Sequence, residues 1–280
     1  MSSIDIYNSN ALACSKNTTR LYSTSFSLGI KLLGHEVRDA VYGIYGFVRF
    51  ADEIVDTFHD YDKATLLERF RHETFTAIDE GVSINPILQS FQLTVNRYHI
   101  DIELIQAFFD SMAMDLDHKN YDSLKYKDYI YGSAEVVGLM CLRVFYRDDP
   151  AGYEALKHPA RRLGEAFQKV NFLRDVQADM EERGRTYFPG VDLLNFTREQ
   201  KDQIEKEIEN DFREAYKGIV QLKPGVKLGV YIAYVYYYKL FCKIRRIPPR
   251  SIMRERIRIS NWVKLRLLFA GVVKHETGRV

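Results

Sequence analysis

The chain has 280 residues, a formal charge of +2, 46% hydrophobic residues and three cysteines. That length supports a large core, and with no linker, low-complexity tract or fixed-period repeat the expectation is one domain over 1–280. Near-neutral charge without a zinc-finger, RNP or helix-turn-helix signature excludes a general nucleic-acid binder, and the lone Cys14, Cys141 and Cys242 exclude a disulfide framework or a CxxC metal site.

No signal-peptide core follows Met1, and no apolar run reaches the roughly 18 residues that span a bilayer. A reduced, cytoplasmic protein is expected, soluble or peripheral at the inner membrane face.

Apolar periodicity is helical nearly throughout. It predicts helices over 9–22, 36–58, 62–80, 86–98, 101–118, 126–146, 151–182, 197–220, 225–246 and 251–270. Asn85-Pro86, Asp149-Pro150, Phe188-Pro189-Gly190, Lys223-Pro224-Gly225 and Pro248-Pro249 interrupt or open these stretches. The fold class that follows is an all-α helical bundle.

In 36–58, Tyr45, Arg49, Asp52 and Asp56 fall on one helical stripe beside the apolar Ile44, Val48, Ala51 and Val55. The helices over 129–146 and 225–242 are apolar or aromatic over most of their circumference, as befits the middle of a bundle. Tyr231, Tyr234, Tyr236, Tyr237 and Tyr238 crowd the second; core packing accounts for most such rings, and a cavity wall that solvates a carbocation is the alternative.

In 151–182, Gln168, Asn171, Asp175 and Asp179 recur at spacings of three, four and four, flanked by Phe167 and Ala178 on one side and Phe172 and Val176 on the other. Carboxylates set into an apolar face need a positive partner, and Mg²⁺, which takes hard oxygen ligands, is the simplest. With the stripe at Asp52 and Asp56, two walls of one site are expected; two separate salt-bridge networks are the alternative. Arg49 and Arg174 fit both, as carboxylate partners or as bidentate phosphate ligands. From Lys243 to Arg266 a basic run, opposed only by Glu255 and interleaved with Ile, Leu, Trp262 and, just beyond, Phe269, predicts a basic amphipathic terminal helix, either solvated, set against an anionic membrane surface or with some bases facing diphosphate in the site.

The ordered motifs resemble the squalene/phytoene synthase family over nearly the whole chain. Ser23-Thr-Ser-Phe26 resembles its N-terminal SxxF, Asp52 to Asp56 its first aspartate-rich motif, and Met114-Asp115-Leu116 the segment after it. Tyr129 to Ala134 with Val137-Gly138 resembles the YCxxVAGxVG helix, Gln168 to Asp179 the QxxNxxRDxxxD motif, and Gly184 to Pro189 the GRxYxP flap. Tyr237 stands where the YxxIL tyrosine falls, and Arg256 to Lys264 resembles the closing basic segment. Glu135 replaces the usual Gly, Ser133 the usual Val, and Leu240-Phe241 the usual Ile-Leu.

The resemblance implies an isoprenoid-synthase bundle with a central cavity and a head-to-head condensation of two prenyl diphosphates through a cyclopropyl intermediate. It implies Mg²⁺, with Mn²⁺ as substitute, held by Asp52, Asp56, Asn171, Asp175 and Asp179. Diphosphates would be oriented by Arg49, Gln168, Arg174, Tyr45, Tyr187 and Arg256, and the reaction zone lined by Ser23, Phe26, Tyr129 and Tyr237. Gly138-Leu-Met140 and Met114 to Leu116 look more like the branch that makes phytoene from geranylgeranyl diphosphate, in which NADPH is not expected. The alternatives are squalene or dehydrosqualene formation from farnesyl diphosphate and, from another class, a non-catalytic helical assembly factor.

Overall fold

The computed structural model describes residues 2–117, 123–181, 187–191, 196–252 and 257–278, excluding the side chains of 117, 178–181, 250 and 261. Among the described residues every regular element is a helix. In chain order these are α1 (Ser3–Tyr22), α2 (Thr24–Lys31), α3 (His35–Asp56), α4 (Lys63–Glu80), α5 (Pro86–Tyr98), α6 (Ile102–Asp117) and α7 (Ser123–Ile130). A π-helical turn (Tyr131–Glu135) leads into α8 (Val136–Phe145), followed by α9 (Pro150–Glu181), α10 (Arg198–Ile219), α11 (Pro224–Arg245), α12 (Pro249–Ile252) and α13 (Asn261–Glu276).

Seven of the ten predicted helices appear within two residues of their expected bounds; the one expected over 126–146 begins at Ser123 and is interrupted by the π turn, and three further differences have local reasons. α1 starts six residues earlier than expected because Ser2 and Asp5 form a reciprocal capping box. α2 was not expected; Ser23 ends α1 with its amide on Thr19 and caps α2 with its side chain, so one extended residue kinks the path between two helices.

The expected helix over 251–270 is instead α12 and α13, separated by a segment whose described part alternates. Ile257 and Ile259 are buried while Arg258 and Ser260 are exposed, a period of two that a helix would not allow. Lys243 Nζ donates to the Arg258 carbonyl at 2.7 Å, so the basic run is spread over a helix end and an extended strap.

The core has two halves. One gathers α3, α5, α6 and α8 around a phenylalanine stack in which Phe47 lies 3.8 Å from Phe91 and 5.2 Å from Phe108. The other gathers α9, α10 and α11 with Tyr187, Phe188, Ile257 and Ile259. α3 and α9 border a cavity between the halves.

Candidate active site

α3 and α9 each bring one polar stripe to this cavity, whose volume is roughly 610 Å³. Tyr45, Arg49, Asp52 and Asp56 line it from α3, and Gln168, Asn171, Arg174 and Asp175 from α9. Ser23 and Phe26 enter at the α1–α2 kink, Tyr129 at the end of α7, Tyr187 after α9, and Tyr237 from α11. The structure therefore brings together thirteen of the fifteen expected site residues. Asp179, whose side chain is not among those described, and Arg256 lie outside the described set, as do Gly184 and Arg185 of the expected flap.

Each polar wall is organised by an arginine. Arg174 holds Asp175 through Nε at 3.0 and 3.1 Å and Nη2 at 2.5 Å. Burial works to lower the Arg174 pKa, yet the hydrogen bond with Asp175 and the nearby Tyr237 carry it above its ordinary value. Arg49 reaches Asp52 at 3.8 Å and pairs with Glu53 one turn on, while its guanidinium lies 4.4 Å from the Tyr22 ring centroid. Arg174 is thus engaged with its sequence neighbour and Arg49 with carboxylates one turn on, each at the cavity wall.

The tyrosines carry neutral donors. Burial pushes the Tyr45 hydroxyl up to about 12, against the hydrogen bond with Ser23. Tyr237 is raised by burial too, and its hydroxyl donates to Asn171 Oδ1 at 3.3 Å, which leaves that oxygen a further lone pair. Tyr129 donates to Asp115 at 3.0 Å.

Aromatic rings make the reaction zone. Phe26 sits 5.6 Å from Tyr45 and 5.8 Å from Tyr237, and Phe167 stacks on Tyr237 at 4.0 Å. Tyr187 stacks on Phe172 at 4.0 Å and on Tyr129 at 5.4 Å. Much of the rest of the wall is small or aliphatic: Leu33, Ala134, Val137, Gly138, Ala160, Gly164 and Ala233 among others. At Gly229 a Cβ would approach the Gly29 carbonyl to 2.7 Å, so glycine here lets α11 and α2 meet.

The π turn re-aims one wall. π-helical turns interrupt the regular repeat and change which side chains face inward. Ser133 and Ala134 line the cavity, with the buried Ser133 Oγ lacking a hydrogen-bond partner, whereas Glu135 is not in the wall. Glu135 is buried and paired with Arg161, and burial raises its pKa. The unusual residue that alters the cavity is consequently Ser133.

Of the lining residues beyond the fifteen expected, Asp115 and Tyr22 bear most directly on the polar walls. Asp115 is buried at the wall, and a lone aspartate inside the apolar run Met112 to Leu116 was its signal. Tyr22 lines the cavity beneath Arg49, and nothing in its sequence spacing marked it.

For a divalent ion the donor chemistry fits: Asp52, Asp56, Asp175 and the Asn171 amide are all hard oxygen donors on one cavity. Among the described residues no three His, Cys, Asp or Glu side chains converge into a preformed cluster. The carboxylates are divided between two helices.

The architecture is the isoprenoid-synthase bundle. The chain belongs to the squalene/phytoene synthase family, whose sequence profile matches residues 19–263. It is 29% identical to the phytoene synthase of Arthrospira platensis, over 90% of this chain and 89% of that one. It is 28% identical to the 4,4'-diapophytoene synthase of Staphylococcus haemolyticus, over 66% of this chain and 65% of that one. The chloroplastic phytoene synthase 1 of Solanum lycopersicum is 28% identical over 80% of this chain, which spans 58% of that longer protein.

Among solved structures, a dehydrosqualene synthase superposes with a TM-score of 0.81 at 20% identity, over 96% of this chain and 98% of that one. Squalene synthase HpnC from Alicyclobacillus acidocaldarius gives 0.75 at 19% identity, over 86% and 95%. These likenesses show the fold. No helix among the described residues is long and apolar enough to cross a membrane.

Proposed function

We propose that the protein is a phytoene synthase, joining two geranylgeranyl diphosphates head to head through a cyclopropyl intermediate and releasing diphosphate. The observation that carries this reading is the single cavity in which two oxygen-donor walls, on α3 and α9, stand over an aromatic and aliphatic interior. A substrate with an ionic head and a long apolar tail suits both halves. The 29% identity to a phytoene synthase over most of both chains supports the chain length.

In this reading Arg49, Gln168, Arg174 and Arg256 hold diphosphate oxygens, and Tyr45 and Tyr187 donate hydrogen bonds to them. Mg²⁺, or Mn²⁺ in its place, held by Asp52, Asp56, Asn171, Asp175 and Asp179, would neutralise the diphosphate and stabilise it as a leaving group. When the first allylic C–O bond breaks, its electron pair leaves with the diphosphate, and the cation is captured by the double bond of the second substrate. Phe26, Tyr129 and Tyr237, with Ser23 beside them, line the zone where that charge develops; ring faces stabilise a desolvated cation by about 2 kcal/mol or more. The apolar walls keep water from quenching it. Proton loss closes the cyclopropane, and a second ionisation with rearrangement and proton loss completes the triene, with no hydride from NADPH.

Product mass after incubation with each prenyl diphosphate tests this. The expected result is phytoene from geranylgeranyl diphosphate with Mg²⁺ present. A squalene or dehydrosqualene skeleton from farnesyl diphosphate would move the protein to the second reading, which the diapophytoene synthase relative favours. No turnover of either would leave a non-catalytic bundle.

A further inference from the structure

The C-terminal helix presents an apolar face that its own fold leaves uncovered. Trp262, Leu265, Phe269 and Val273 recur at spacings of three, four and four, which puts them on one side of α13. They are 78%, 42%, 64% and 60% exposed. The opposite side packs on α11, where a Cβ on the buried Gly271 would meet Ile232 at 2.2 Å. A helix that buries one side and exposes large apolar residues on the other is shaped for a second surface.

α13 is tied to the end of α1, where the cavity wall reaches solvent at Tyr22 and forms its mouth. Lys264 Nζ donates to Thr24 Oγ1 at 2.8 Å, tying α13 to the kink where α1 ends. At that end Leu21 and Tyr22 are 74% and 50% exposed, and Tyr22 also lines the cavity beneath Arg49. Along α13, the segment just before it and the last turn of α1, the exposed charges are predominantly basic: Arg20, Arg258, Arg266 and Lys274, against Glu276.

We infer that the α13 face, together with Leu21 and Tyr22, docks on an anionic bilayer surface and sets the cavity mouth against it. Apolar side chains rimmed by Arg and Lys match the acyl boundary and anionic headgroups of such a surface, and tryptophan is favoured at that interface. The inference rests on the prenyl diphosphate reading only for its purpose, which is to let an apolar tail or product pass between bilayer and cavity without crossing water. It differs from the expectation of a basic amphipathic terminal helix. The basic run is broken, and the contact is carried by the apolar face of α13.

The chain has one tryptophan, so Trp262 emission reports on this face alone. With the full chain and vesicles of phosphatidylglycerol and phosphatidylcholine, emission shifts to the blue and is quenched by bromine-labelled acyl chains. Cosedimentation with the same vesicles weakens at least tenfold in F269D/V273D, and in R266E, and as salt is raised. These variants keep the wild-type circular dichroism and the turnover of detergent-dispersed substrate. Tryptophan emission unchanged by vesicles overturns the inference. So does a blue shift that grows with protein concentration in the absence of lipid and disappears in F269D/V273D, because the face would then belong to a second copy of the chain. Vesicle binding is read without substrate, so it stands or falls apart from the proposed activity.

Discussion

Asp175 shows what a single residue can and cannot reveal. Its spacing from Asn171 and Gln168 was plain in the sequence, but its state was not: the structure has it clasped by Arg174 through two nitrogens. The clasp is a pair of charge-assisted hydrogen bonds, in which one cationic partner can be exchanged for another as ligand arrives. Asp175→Ala is expected to lower turnover about a hundredfold or more, as when a group that stabilises developing charge is removed, while circular dichroism stays that of the folded protein. Near-normal steady-state rates would remove Asp175 from the site. Tyr45 is the converse case: tyrosine is a neutral donor near pH 7 by its identity alone, and what the sequence hides is the burial beside an acidic wall that pushes its pKa up to about 12.

At the scale of elements, α9 has two polar sides with different tasks. Toward the cavity it shows Gln168, Asn171 and Asp175. Away from it, Arg162, Glu165 and Lys169 close a ring with Asp211 of α10 through contacts of 2.6, 2.7, 2.9 and 3.2 Å. Such a buried ring is weak evidence for stability but sets register, since any slip would strand a charge. The sequence pattern alone could not separate this side from an ordinary solvated stripe.

In the cavity wall, α9 meets the π turn at Gly164, where a Cβ would come within 2.6 Å of the Ala134 carbonyl. Backbone does not yield as a side-chain tip does. Gly164→Ala is expected to destabilise the protein by about 1–3 kcal/mol, seen as a lower urea midpoint with unchanged slope. A midpoint equal to wild type would mean the helices are free to part.

Over the whole molecule, the two acidic walls belong to separate halves of the core, so a ligand that bridges them joins α3 to α9. Mg²⁺ with inorganic diphosphate is therefore expected to raise the melting temperature, by an amount that follows ligand concentration. At a hundred times the dissociation constant the gain is about 2.7 kcal/mol. Diphosphate without the metal is expected to give little, because like charges would face each other across the gap. Equal shifts with and without Mg²⁺ would contradict a metal-bridged site.

Helix content, most helix ends, both aspartate stripes and the family were determined by the sequence itself. Each depends on local pattern: a period of 3.6 residues, a proline or a capping side chain, a motif at fixed spacing. The tertiary structure alone decided that α3 and α9 face one cavity, that the π turn brings Ser133 rather than Glu135 to its wall, and that the C-terminal basic run divides. It alone revealed Tyr22 and Asp115 as lining residues and left the apolar face of α13 open beside the mouth. Those outcomes follow from which surfaces pack against which, and packing partners distant in the chain leave no periodic trace in it.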